Sequence, residues 1–423
     1  MKLPRNLITS ATFASSLLLS VHSMGAGFQL TQRSASGLGR GFSGEAAYAE
    51  DASVLASNPA AMILLGGNWN FSAGLNIIDV ESEVRGLGPL GNLEDDTAGE
   101  TSFVPLIYGT KRVNENIVVG AGLFSTYGLI TDYSSSFADQ AGVDLSEIIS
   151  VNFNPSIAWR LNEVVTLGAG LNILYAEGEL SSRSPEAILA GPGTLFDLEG
   201  NDLGFGFNVG VLFELTEKVN LGLHYRSAVE VSLDGDAQIG PGINNIAGGL
   251  VALPGAYDAS LEIDLPDTAE ISLLYRATDN LDLHADIFWT NWSKVRSISP
   301  QLDGTLNDAA VNQILNTDLD WQDTFRYSVG ATYRATDKLT LRTGIAFDES
   351  PVSNSNRTLR IPDRDRISLS FGVSYQFDEN YKIDFGYSHL FADDVPINDN
   401  EPFFDGEVSG DADIFAFSIS SQF

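Results

Sequence analysis

Cysteine is absent from the 423-residue chain, which removes disulfide and thiolate chemistry at once. An exported protein of this composition must rely on backbone hydrogen bonds and packing. Long apolar runs are absent too. Beyond residue 25 no uninterrupted apolar stretch reaches 18 residues, which excludes a transmembrane helix but not a membrane-spanning barrel. Basic residues are scarce, 23 Lys and Arg against 56 Asp and Glu, for a formal net charge of −33. Such a surface repels nucleic acid and attracts cations. Histidine is rare as well: beyond residue 25 only His224, His284 and His389 occur.

What is present begins with a leader. Lys2 and Arg5 precede an apolar-to-small stretch over residues 7–21, and Ser23 and Gly25 supply small residues where a signal peptidase reads. Residues 1–25 are expected to be a signal peptide cleaved after Gly25. The stretch is too short for a comfortable membrane anchor.

The C-terminal strand carries the clearest pattern. Phe415, Phe417, Ile419 and Phe423 alternate with Ala416, Ser418, Ser420 and Gln422. Period 2 puts the aromatics on one face of a strand and the small polar residues on the other. Apolar-out and polar-in is the pattern of a barrel whose outer solvent is lipid. From residue 68 onward fourteen such segments follow, among them 164–176, 203–213, 325–333 and 366–377. Short turns near 113–116, 161–163, 215–218, 277–280, 335–337 and 378–380 alternate with long connections near 83–99, 129–148, 182–200, 238–256, 298–320, 349–363 and 396–406. Six short and seven long connections fit an all-β, 14-stranded antiparallel outer-membrane barrel over residues 68–423. Residues 26–67 are rich in Gly, Ala and Ser, yet Leu30, Leu38, Phe42, Leu55 and 62–65 require burial. They are expected to form a small, partly helical plug inside the barrel.

Several stretches resemble the FadL family of long-chain fatty-acid transporters. They are Ala26–Leu30, Ser36–Glu45, Glu50-Asp51-Ala52, Asn58-Pro59-Ala60, Ser125–Leu129, Leu265-Pro266, Trp289–Ser293, Arg342–Val352, Asn356-Arg357 and Ile361–Arg366. The resemblance runs in order through the whole chain after the leader. It implies a fourteen-strand barrel with an N-terminal hatch, capture of ligand by outer loops, an internal apolar pocket and a kinked third strand with a side opening. The family also includes carriers of aromatic hydrocarbons and alkanes, so the ligand stays open between these classes.

The candidate site follows from both readings. Phe28 and Leu30 of the hatch, with Arg183 and Arg326, are expected to form the ligand pocket. Asn58, Pro59 and Ala60 make a tight turn that the resemblance assigns to the hatch–wall contact, and Tyr127 and Gly128 mark the side opening. The connections 182–200 and 238–256 are unusually apolar. Ile188, Leu189, Leu195, Phe196, Ile243, Ile246, Leu250 and Val251 are expected to line an outer-loop groove, or to pack on one another as a cap. Arg160, Arg226, Arg326, Arg342 and Arg366 fall on lumen positions. They either pair with Glu45, Glu50 and Asp51 or meet a ligand carboxylate. Arg183 lies near a basic position of the family, whereas a second such position is Gln322 here, which leaves room for an uncharged ligand. No nucleotide motif is present, so transport is expected to be passive. An outer-membrane lipase is a distant alternative. No Gly-x-Ser-x-Gly elbow or metal-ligand run accompanies the histidines, and neither catalysis, cofactor nor metal is expected. The expected partners are a hydrophobic small molecule, outer-membrane lipid and lipopolysaccharide. The chain is expected to work as a monomer. Its acidity reflects either divalent-cation bridging to lipopolysaccharide or a salty habitat.

Overall fold

The computed structural model describes residues 27–95, 97–99, 101–183, 194–397 and 403–423. The leader (1–25) and the groove residues Ile188 and Leu189 lie outside them. Fourteen strands run antiparallel. The first six are β1 (Trp69–Val80), β2 (Thr101–Asn114), β3 (Ile117–Phe124 continued by Gly128–Asp132), β4 (Leu145–Arg160), β5 (Val165–Arg183) and β6 (Thr194–Thr216). Next come β7 (Val219–Arg226 continued by Val229–Ile239), β8 (Gly255–Leu265 continued by Thr268–Thr278) and β9 (Leu281–Thr290). The last five are β10 (Thr324–Arg334), β11 (Leu339–Asp348), β12 (Arg366–Gln376), β13 (Tyr381–Ala392) and β14 (Ala412–Gln422). Each pairs with its sequence neighbours, and β1 also pairs with β14, so the sheet closes on itself. At the junction the Phe423 carbonyl accepts the Trp69 N–H at 2.9 Å, and the Phe423 N–H returns the bond to Trp69.

The alternation behind the strand assignment is visible as burial. In β14, Ala412, Ile414 and Ala416 are buried while Phe417 and Ile419 are exposed. Leu171, Phe205, Ile107 and Ile271 belong to the same outward apolar belt. Trp69, Trp159, Tyr275, Tyr333, Tyr375, Phe377, Tyr381 and Phe423 are exposed beside the short turns, where a lower aromatic girdle belongs.

The outer connections are more structured than their composition suggests. The connection after β1 folds into the paired strands Glu83–Gly88 and Gly91–Asp95; Glu83–Gly88 also pairs with Asp405–Ser409 from the far end of the chain, which in turn pairs with Val395–Ile397. Strands β5 to β8 continue well past the apolar belt. Leu195 and Phe196 are therefore strand residues rather than loop residues, with Phe196 opposite Ser182 and Ile239.

That extension lines up like charges. Glu147 faces Glu179, Glu179 faces Glu199, Glu199 faces Asp236, Asp236 faces Asp258, and Asp258 faces Asp303. Like charges directly opposite one another destabilise a ladder, and salt screens them. Hydrogen exchange over 195–240 is expected to slow markedly between low salt and about 1 M salt. Glu199→Lys is expected to give the same protection at low salt. Equal exchange in all three conditions would remove the charge argument.

Candidate ligand-binding site

Residues 28–30 run along the break in β3. The Leu30 N–H donates to the Thr126 carbonyl at 2.9 Å, the Gly128 N–H donates to the Phe28 carbonyl at 2.9 Å, and Gln29 sits opposite Tyr127. The break carries one extra residue: Phe124 faces Asn152 and Gly128 faces Ile149 of β4, four steps against three. This is a bulge, and it bends the strand. The β2–β3 ladder ends at Ile107 and Leu123, so the wall has a seam where the bend begins. Ser150 holds the bend, its hydroxyl donating to the Tyr127 carbonyl at 2.6 Å, and the Tyr127 hydroxyl donates to the Pro266 carbonyl at 2.6 Å.

Phe28 is fixed by aromatic edges. Its ring centroid lies 4.7 Å from Trp292, 5.6 Å from Trp321 and 6.0 Å from Tyr127. Above it opens a cavity of about 390 Å³. The apolar walls come from Leu129, Ile148, Leu180, Leu233, Leu261 and Ile263, and Val295, Ile298, Leu319 and Ile361 complete them. Its outer side is framed by Leu261–Asp264 of β8 and by residues 294–301. Ser260 pairs with Gln301 above this gap, and the Asn291 N–H donates to the Asp267 carbonyl at 3.0 Å below it. Between these two points no backbone ladder joins β8 to residues 294–300 among the described residues.

The closed fourteen-strand barrel is matched by the comparisons with known proteins. Residues 16–423 match the family described as Outer membrane protein transport protein (OMPP1/FadL/TodX). The chain belongs to this family. The Long-chain fatty acid transport protein of Escherichia coli O6:H1 is 32% identical over 450 residues, 99% of each chain. Outer membrane protein P1 of Haemophilus influenzae is 30% identical over 411 residues, 86% of each chain. A Pseudomonas aeruginosa FadL homologue of known structure superposes with a TM-score of 0.83 at 23% identity, over 94% of this chain and 100% of that one. The P. putida toluene transporter TodX gives 0.70 at 19%, over 94% and 99%. The structural likenesses establish the fold. Family membership places the chain in the outer membrane as a transporter rather than an enzyme.

An N-terminal segment that fills the lumen needs seats on the wall. Here the seats are glycines. A Cβ on Gly210 would meet Asn58 Oδ1 at 1.9 Å, and one on Gly168 would meet the Ala60 nitrogen at 2.1 Å. A Cβ on wall glycines 222, 344, 386 or 372 would meet backbone atoms of residues 35–46 at 2.0, 2.0, 2.5 and 2.8 Å. Asn58 locks the turn. Its side-chain amide donates to the Ala46 carbonyl at 2.7 Å and to the Val211 carbonyl at 3.2 Å, and its Oδ1 accepts the Ala60 N–H at 3.0 Å. Pro59 opens the short 3₁₀ turn Pro59–Leu64, a position that requires no N–H.

Ion pairs hold the other side. Arg342 of β11 binds Glu50 at 2.7 Å, Arg40 binds both Glu45 and Glu50, and Arg33 binds Glu270 at 3.3 Å. Asp384 and Lys382 of β13 extend the cluster, 3.3 Å apart. Burial alone would raise the Glu50 carboxyl, but Arg342, Arg40 and Lys382 hold it well below the usual carboxylate range.

Of the four expected pocket residues, only Phe28 lines the cavity. Leu30 packs in a separate apolar cluster with Leu38, Val104 and Ile414. Arg326 donates to the Gly41 carbonyl at 2.6 Å and borders a different, polar cavity of about 30 Å³. Arg183 is engaged by Asp139 at 2.6 Å, within the outer connection 133–144. The expected Arg342–Glu50 pairing is present. Arg226 instead donates to Asn172 and to the Ala56 carbonyl, Arg160 pairs with Glu214, and Arg366 pairs with Asp363. Of the groove residues, Leu195, Phe196, Ile243 and Val251 are buried in one shared core, so they form a cap rather than an open groove. Ile246 and Leu250 are exposed.

Sequence reasoning missed residues 294–301, Leu319 and Ile361, which supply one side of the cavity. The available signal was Val295 and Ile298 set among polar residues just after Trp292.

Proposed function

We propose that this chain is a passive outer-membrane channel that brings hydrophobic molecules inward, with long-chain fatty acids as its ligands. The observation that carries the reading is the apolar cavity resting on Phe28, because residues 28–30 also pair with the bend beside the β2–β3 seam. A ligand in the cavity therefore touches the segment whose movement would open either route out. The full-length likeness to the Escherichia coli Long-chain fatty acid transport protein supports the ligand class. In this reading residues 26–67 are the hatch and 68–423 the barrel. Ligand is captured at the exposed Ile246 and Leu250, held above Phe28, and released by hatch movement or sideways past Tyr127 and Gly128. A single barrel holds the whole cavity, so the chain works as a monomer, with its outer rim against lipopolysaccharide.

A second reading, transport of uncharged hydrocarbons, is favoured by Gln322 and by the engagement of Arg183 with Asp139. Mass spectrometry of small molecules extracted from the purified protein separates the two. A co-purified fatty acid supports the first. A hydrocarbon, together with no affinity for oleate, overturns it.

Two variants test the route. Phe28→Ala removes apolar contact area and is expected to weaken oleate binding about tenfold, at about 25 cal/mol per Å² of lost burial. Gly128→Phe is expected to block oleate uptake by cells while leaving oleate binding to the purified protein intact. Normal uptake in that variant would eliminate the sideways exit.

A further inference from the structure

Beside the cavity the wall has two unpaired edges. On its β9 side, β8 makes no ladder between Ser260, which pairs with Gln301, and Asp267, whose carbonyl accepts the Asn291 N–H. In that interval Leu261–Asp264 and residues 294–299 both border the cavity. Alternate residues of each edge face opposite sides of the wall. Leu261 and Val295 are buried, whereas Glu262, Asp264, Lys294 and Arg296 are exposed. The cavity therefore runs along both open edges and reaches toward the outer face between them. Glu147 and Glu179 border it on another side, but there the ladder is intact, with Ser146 opposite Leu180 and Ile148 opposite Gly178, and the wall is shut.

Side chains close this gap. Ile263 and Ile298, both half-buried, pack on the core that holds Leu261 and Val295. At the lower end Lys294 meets Asp267 at 3.0 Å, and the Asn291 side-chain amide donates to the same carboxylate at 2.9 Å. Isoleucine side chains make no hydrogen bonds, and they change rotamer far faster than paired strands part. The strand itself sets the height of the gap. From Tyr275 in the lower girdle to Asp264, β8 climbs about 28 Å, at about 3.3 Å per residue and a tilt of about 40°. The outward apolar band of such a barrel is about 25 Å tall, so the gap opens just above it, at the level of the outer-leaflet head groups. The exposed charges on both edges fit that level.

We propose that this gap is a side entrance to the cavity: a single-chain acyl amphiphile lying in the outer leaflet passes its chain between Ile263 and Ile298 and leaves its head at the charged rim until the chain is seated. This rests on the acyl-ligand reading above and specifies a way in to the same site. It is separate from the exit past Tyr127 and Gly128, which lies at β3. Leu129, Leu180 and Leu233 wait inside, and burial of the chain against them draws it through. Ligand already dissolved in the leaflet then reaches the cavity without first climbing to the outer connections.

The chain has no cysteine, so thiols can be placed at the gap alone. Continuing the register of Ser260 with Gln301 sets Asp264 opposite Ser297. Asp264→Cys with Ser297→Cys, joined by a short bis-maleimide, fastens the two edges at the rim. In lipid nanodiscs the bridged protein is expected to bind oleate about tenfold more slowly than the unbridged double variant and to release it about tenfold more slowly, with Kd unchanged, because a barred entrance slows both directions alike. Ile263→Ala with Ile298→Ala thins the seal and is expected to speed association about threefold. Equal rates in the bridged and unbridged proteins overturn the proposal. So does slower association with unchanged dissociation, which reports a filled cavity rather than a closed entrance. Association in the alanine pair no faster than in the parent overturns it as well. If oleate does not bind the parent, the acyl reading falls and the entrance with it, and that failure is seen before any variant is made.

Discussion

Gly210→Val is expected to turn a closed barrel into an open one. The hatch turn Asn58-Pro59-Ala60 touches the wall at a point where a Cβ would lie 1.9 Å from Asn58 Oδ1. Valine adds three carbons there. Asn58 cannot withdraw without losing its bonds to the Ala46 and Val211 carbonyls, which together anchor the turn. Overpacking of this kind costs about 1–3 kcal/mol, and here it falls on one contact rather than on a whole core. The strands pair through their backbones and need not respond. Planar-bilayer recordings are expected to show steady conductance in the variant and little in the parent, and cells are expected to admit large hydrophilic antibiotics. Gly109→Val is the control, because its nearest neighbour is the outward Phe71 ring at 3.3 Å. Equal conductance in both variants would mean that the glycine seats do not hold the hatch.

Arg342→Met should have the second-largest effect. It takes from Glu50 and Asp384 one cation each and leaves Arg40 on Glu50 and Lys382 on Asp384, so the cost should fall below the roughly 3–5 kcal/mol of a buried charge left wholly unpaired. Lower thermal stability and easier proteolysis within residues 27–67 are expected, with the barrel strands spared. Adding Glu50→Gln should recover much of the loss, since Asp384 keeps Lys382. The pH dependence follows from the same cluster. The Glu50 carboxyl is held well below its unfolded value, so its contribution is fully present above that value. It is lost as pH falls through the folded value. Acid should therefore loosen the hatch of the parent protein only below the usual carboxylate range, and Glu50→Gln should flatten that response. A parent whose hatch loosens near neutral pH would point to another group.

The barrel was legible because lipid imposes a period of 2, and strands such as β14 write it as Phe417 and Ile419 set between small residues. The glycines on the opposite face carry no period that marks them as contact points. Gly168 and Gly210 gain their meaning from Ala60 and Asn58, which lie more than a hundred positions earlier in the chain. The cavity was less legible for a related reason. One side comes from residues 294–301, too short and irregular to show a period, and the two arginines expected in the pocket, Arg183 and Arg326, are engaged by distant partners. Arg326 bonds to Gly41, and no spacing rule connects two such positions. The outer connections misled because their apolar residues serve each other: Phe196, Ile243 and Val251 share one core.

The bond between Phe423 and Trp69 also has a consequence in time. The strand that opens the wall cannot find its last neighbour until residue 423 has been made and delivered, and pairings between remote parts of a chain are slow to form. The hatch is thus made before the wall that surrounds it and is the last part to be enclosed. A few extra residues after Phe423 would crowd the joint where assembly ends, so a tag there should delay maturation, whereas one placed in an outer connection should not.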